Sequence, residues 1–126
     1  MPNEAIATDR APAAVGPYSQ AILSDGLLFC SGQIPLDPVS GELVGGSIAD
    51  QTRRCLENLS AVLEEAGAEW SNVIKVTAFL TSMDDYADFN SAYAGFVGEP
   101  PPARAAIGVA SLPKGARIEI ECTARI

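Results

Sequence analysis

The chain has 126 residues, 48% of them apolar, and its 8 basic and 16 acidic side chains give a formal charge of −8 at pH 7. That length builds one domain with a real core and is too short for two. The charge repels polyanions instead of offering the basic footprint that phosphate backbones select, so nucleic acid and anionic membrane surfaces are excluded as partners, and no apolar run approaches the length of a spanning helix.

Residues Met1 to Arg10 have neither the basic start nor the apolar stretch of a secretory signal, so a cytoplasmic location is expected. Tyr18 to Ser24 and Leu27 to Ser31 read as strands around Asp25-Gly26, a dipeptide suited to the positive φ angles of a tight hairpin. Between Gln33 and Gly46 the breakers Pro35, Pro38, Gly41, Gly45 and Gly46 predict a long loop. Ser47 caps a helix whose apolar positions Ile48, Cys55, Leu59, Val62, Leu63 and Ala66 keep one face, and Gly67 ends it. Val73 to Leu80, β-branched and aromatic, is a strand. Ser82 caps a second helix with Tyr86, Phe89, Tyr93 and Phe96 at spacings of three, four and three, closed by Gly98 and Pro100-Pro101-Pro102. Ala103 to Ala110 and Ala116 to Ala124 supply two more strands, separated by Leu112-Pro113-Lys114-Gly115.

The order is therefore β-β-α-β-α-β-β, an α/β (α+β) domain over residues 1–126 with a mixed sheet and both helices on one face. In Val73–Leu80 and Ala105–Ala110 apolar residues occupy both parities, as in strands buried on both sides. Two helices cover only one face. The other is expected to lie against further copies of the chain, in a closed homo-oligomer with clefts between subunits.

The chain contains no histidine, so proton chemistry falls to a carboxylate, a tyrosine, a lysine or an ordered water. Cys30, Cys55 and Cys122 are odd in number and scattered, which fits neither a disulfide framework nor metal-ligand spacing, and they read as small core hydrophobes. Arg104 stands at the threshold of an apolar strand. Its guanidinium cannot shed its charge, and its fork of donors matches a carboxylate, whether from the protein or from a small molecule. If Ile107 and Val109 point at the helices, then Arg104, Ala106 and Gly108 point at the subunit interface, where small side chains leave room for a ligand. By the same parity Ile118 and Ile120 take the core side, leaving Glu119 and Glu121 on the face that Arg104 shares. Glu119 then either pairs with Arg104 or orients a water, and Glu121 is a solvated or interface charge.

The strings Gly16-Pro17-Tyr18-Ser19-Gln20-Ala21, Ser31-Gly32-Gln33-Ile34-Pro35, Asn90-Ser91-Ala92-Tyr93, Pro102-Ala103-Arg104 and Leu112-Pro113 followed by Ile118-Glu119-Ile120-Glu121 run through almost the whole chain. Together they resemble the RidA family of enamine/imine deaminases, the YjgF group. The resemblance implies a chorismate-mutase-like fold, a homotrimer with active sites between neighbouring subunits, and cofactor-free hydrolysis of enamines and imines of the 2-aminoacrylate type, released by pyridoxal-phosphate enzymes, to 2-keto acids and ammonia. It implies that Arg104 binds the substrate carboxylate and Glu119 positions the attacking water. Tyr18 would line the cleft, with Ser31, Gly32, Asn90 and the backbone at Ala106 fixing the substrate. Many relatives carry cysteine where this chain has Ala106, so thiol-dependent regulation at that position is not expected, and the stretch between Asn90 and Arg104 is shorter than in some relatives.

Three other readings compete. A small-carboxylate-binding regulatory or chaperone-like protein would use the same cleft without turnover; Glu119 favours the enzyme. A ribonuclease, a label long attached to the family, is opposed by the net charge and the missing histidine. A chorismate mutase would need more cations than Arg104 for its dianionic substrate.

Overall fold

The computed structural model describes residues 2–126. Its elements are β1 (Glu4–Ile6), β2 (Ala21–Ser24), β3 (Leu27–Gln33), α1 (Ile48–Glu65), β4 (Val73–Leu80), α2 (Tyr86–Ala94), β5 (Ala103–Gly108) and β6 (Ile118–Arg125). The expected order lacked β1, an edge strand paired with β2 from Glu4↔Leu23 to Ile6↔Ala21. Three residues cannot display a period-2 pattern, and β1 exists because β2 offers it a free edge. Tyr18 to Gln20, expected as strand, are irregular, because the Gln20 side chain is spent on anchoring the N-terminal segment. Its amide is buried, accepts from Thr8 N at 2.7 Å and donates to Thr8 O at 3.0 Å and Pro12 O at 2.8 Å.

The hairpin between β2 and β3 turns on Asp25 and Gly26, with φ of 54° and 81°, the pair of positive angles that a two-residue hairpin needs. Helix α1 opens on a capping box: Ser47 Oγ accepts from Asp50 N at 3.1 Å and Asp50 Oδ2 from Ser47 N at 3.2 Å. Gly67, at φ +82°, ends it. Helix α2 starts later than its cap suggests, since Ser82 accepts from Asp84 N and so caps a single 3-10 turn, Met83–Asp85, that leads into Tyr86.

The strand order is β1-β2-β3-β6-β4-β5. Strand β6 is antiparallel to both β3 and β4, which are therefore parallel to each other, and β4 and β5 pair in parallel across the α2 crossover. Both helices cover one face, and the core between them and the sheet includes Leu28, Leu59, Val76, Phe89, Ile118 and Ile120, all at 0% exposure. The three cysteines are buried and unpaired, as expected of core hydrophobes. Burial pushes the Cys55 thiol up, and a hydrogen bond with Cys30, directly across the strands, together with burial raises Cys122. Among the described residues no helix is long and apolar enough to cross a membrane.

The opposite face of the sheet carries no helix, and Phe29 and Ile107 on it are 49% and 43% exposed. That exposure reverses the parity expected for β5. Ile107 faces the uncovered side, while Arg104 and Ala106 turn toward α2. The reason lies in the helix: the buried rings of Phe89 and Tyr93 lie over β5, and a guanidinium stacks on them at 5.2 and 5.0 Å from their centroids. Parity in β6 is as expected, with Ile118 and Ile120 in the core and Glu119 on the uncovered side.

Candidate functional site

Arg104 and Glu119 consequently do not share a face. Phe79 is paired with Glu119 on β6 and with Ile107 on β5, so two strand spacings and three residues along β5 separate Glu119 from Arg104. Their Cα atoms are about 14 Å apart by that count, with the side chains on opposite sides of the sheet. Glu119 is thus not the salt-bridge partner of Arg104 within one chain, and the residues expected at the site fall into two groups.

The first group lies where α2 meets the edge strand β5. The Arg104 guanidinium carbon is 5.7, 5.2 and 5.0 Å from the ring centroids of Tyr86, Phe89 and Tyr93, and its Nη2 donates to the Tyr86 hydroxyl at 2.9 Å. Aromatic faces suit a cation but offer no lone pair of the kind a carboxylate provides. Among the described residues no carboxylate forms an ion pair with Arg104. Asn90 lies one turn beyond Tyr86 on α2, and its amide together with the Arg104 charge holds that phenol below its usual range. Ala106 packs against the core beside this cradle, and because β5 is an edge strand, alternate backbone groups along it have no partner in the sheet.

The second group lines a cleft of about 800 Å3 that includes Tyr18, Ser31, Gly32, Pro113, Lys114 and Glu119. Glu119 is half-buried there. Burial, and secondarily the neighbouring Glu121 charge, push its carboxyl above the usual carboxylate range. It rests directly on Gly32, where an added Cβ would overlap Oε2. Glycine at that position is what lets the carboxylate lie flat against β3. Tyr18 is exposed at the cleft mouth, and its hydroxyl accepts from Val15 N at 3.4 Å. Ser31 has less freedom than the resemblance implied, since its hydroxyl donates to Ser19 O at 2.6 Å and its N–H to Gln20 O at 2.9 Å. It ties β3 to the Tyr18 loop, and only its oxygen lone pairs remain for a ligand.

One wall of this cleft is the expected loop between β3 and α1. It is ordered by a bridge between Leu36 and Leu43, by the Asp37 carboxylate accepting from Val39 N and Ser40 N, and by the buried Asn58, whose Nδ2 donates to Leu36 O at 3.0 Å. Lys114 closes the far side by donating to Gly41 O at 3.3 Å. Neither Lys114 nor the aromatic cradle was singled out as part of the site. The residues Tyr86, Phe89 and Tyr93 have a helical period, which is equally the signature of core packing, and nothing in the sequence pairs them with Arg104.

The raised Glu119 carboxyl has a consequence for stability. The folded chain holds that proton to higher pH than the unfolded chain, so stability is fullest below the ordinary value of 4.5 and is lost as pH rises through the folded value. Glu119→Gln is expected to melt at a higher temperature than the parent at neutral pH, with the gain disappearing below pH 4.5. Thermal melts across that range check it, and a lower melting temperature at neutral pH would contradict the burial argument.

Comparison with known proteins gives a consistent picture. The family model described as Endoribonuclease L-PSP matches residues 8–126. A RutC family protein of Pyrococcus horikoshii is 53% identical over 122 residues, covering 97% of each chain. The human 2-iminobutanoate/2-iminopropanoate deaminase is 46% identical over 119 residues, covering 94% of this chain and 87% of the human one. The crystal structure of RidA from the Antarctic bacterium Psychrobacter sp. PAMC 21119 superposes with a TM-score of 0.94 at 42% identity, covering 98% of this chain and 99% of that one.

Proposed function

The chain belongs to the endoribonuclease L-PSP family, that is, the YjgF/RidA family, and has its chorismate-mutase-like fold, and from that membership and the divided site we propose that it hydrolyses reactive 2-imino acids, and the enamines that tautomerise to them, to 2-keto acids and ammonia. The observation that carries the reading is the pairing of an unneutralised Arg104 with a half-buried Glu119 that no one chain brings together.

A small imino acid spans only a few ångströms, so a single molecule reaches both groups only if they come from different copies. The uncovered sheet face, with Phe29 and Ile107 half-exposed, supplies the apolar surface for that association, and we read the active assembly as a homotrimer. In the assembled cleft the Arg104 fork takes the substrate carboxylate. Glu119, which burial makes a stronger base than an exposed carboxylate, receives a proton from water as the oxygen adds to the carbon of the protonated imine. The carbinolamine nitrogen takes that proton back from Glu119, the C–N bond breaks with ammonia leaving, and the hydroxyl passes its own proton to the freed Glu119 carboxylate as its oxygen becomes the keto group. An imine is already electrophilic once protonated, so orientation beside water supplies most of the catalysis, and histidine is not needed. Ribonuclease action, the activity in the family's description, is not part of this reading: a polyanion meets a chain of charge −8.

The test couples an enamine-releasing pyridoxal-phosphate enzyme to this protein and follows keto acid and ammonia. Faster release than the uncatalysed hydrolysis is expected. Thermal stabilisation by a 2-keto acid with no acceleration would instead favour the regulatory binding protein.

Gly32→Ala adds a sharper requirement. The new methyl group must displace the Glu119 carboxylate, and a shift of about 1 Å in a catalytic group costs on the order of 100-fold in rate. The expected loss falls on kcat, with KM little changed because the Arg104 group is untouched. Steady-state kinetics beside a melting curve checks this.

A further inference from the structure

We propose that Tyr86 is a positioning residue for substrate binding, its hydroxyl occupying one donor of Arg104 so that the rest of the guanidinium fork is aimed at the substrate carboxylate. This rests on the imine-hydrolysis reading above. Arginine brings five N–H donors on a long, rotamer-rich stem, and a fork is selective only when its plane is fixed. Three rings flank this guanidinium at 5.7, 5.2 and 5.0 Å, which limits its position but leaves rotation about the ring normals open. The single directional contact is Nη2 to the Tyr86 oxygen, at 2.9 Å.

That oxygen is itself held. The Tyr86 ring leans on Phe89 with centroids 6.3 Å apart at 44°, and Phe89 leans on Tyr93 at 5.5 Å and 40°, with Phe89 at 0% exposure. A phenol held by packing against the buried Phe89 ring and its neighbour Tyr93 is a rigid reference point for a flexible cation. Packing and cation–π contact need only the ring, so phenylalanine would satisfy them equally. What the hydroxyl adds is direction.

The experiment compares the parent, Tyr86→Phe, Arg104→Lys and the double variant in the coupled imine assay, with Arg104→Ala as reference. Tyr86→Phe keeps the ring and is expected to raise KM about threefold to tenfold, with a parallel rise in the inhibition constant of a small 2-keto acid and little change in kcat. Because lysine has no fork to aim, the same substitution in the Arg104→Lys background is expected to change KM by less than about twofold. A KM for Tyr86→Phe equal to the parent's, or an equal shift in both backgrounds, overturns the positioning role while leaving the imine-hydrolysis reading intact, provided Arg104→Ala has lost activity. Full turnover by Arg104→Ala overturns both.

Discussion

Arg104→Ala is expected to cost roughly 30-fold or more in kcat/KM for imine hydrolysis, the equivalent of about 2–5 kcal/mol for truncating one partner of a desolvated, hydrogen-bonded charge pair. The substitution also removes a cation stacked among Tyr86, Phe89 and Tyr93, so some stability is lost with the activity. The two effects separate cleanly: activity is measured well below the variant's melting temperature, where the protein remains folded. Arg104→Lys is the companion measurement. It retains a positive charge but not the bidentate fork, and should fall between parent and alanine variant, chiefly through KM. Turnover by Arg104→Ala at the parental rate would remove the carboxylate anchor from the proposed mechanism.

The second large effect is recovery of activity on mixing. Arg104→Ala and Glu119→Gln are each expected to be impaired alone, yet co-refolded in equal amounts they should regain about a quarter of the parental rate, because a site that takes Arg104 from one copy and Glu119 from its neighbour is intact in that fraction of random pairings. If both residues served the same site from a single chain, no pairing would restore it. The roughly 14 Å and the opposite sheet faces that separate the two residues within one chain are the physical basis for expecting recovery. Mass measurement of the assemblies, beside the kinetics, establishes that mixed species have formed.

The recovery on mixing depends on a detail that strand parity alone placed wrongly. Ile107 was expected under the helices because a branched apolar side chain ordinarily seeks the core. It is 43% exposed, and Arg104 takes the inward direction. Local alternation says that Arg104 and Ile107 point to opposite sides, but not which side is which. That choice was made by α2, whose rings over β5 stack on the Arg104 guanidinium. Glu119 was placed correctly because its neighbours Ile118 and Ile120 are large, apolar and buried against α1, so parity there had only one low-energy solution.

By itself the sequence determined the elements whose signals are local. Asp25-Gly26 dictated a hairpin, Ser47 with Asp50 began α1 and Gly67 stopped it, and period and composition marked α1, α2 and the four longer strands after the hairpin turn. It also supplied the chemical inventory: one arginine beside a proline run, one glutamate between two isoleucines, and no histidine. Only the tertiary structure decided what those groups face. β1 formed because a partner edge was available, Gly32 proved to be the floor beneath Glu119, and Arg104 was gathered into a ring of aromatics lying 11 to 18 residues away in sequence. Capping, turn geometry and periodicity are set by neighbours along the chain, whereas side-chain direction at a sheet edge and close backbone approach are set by whatever volume the remainder of the fold leaves empty.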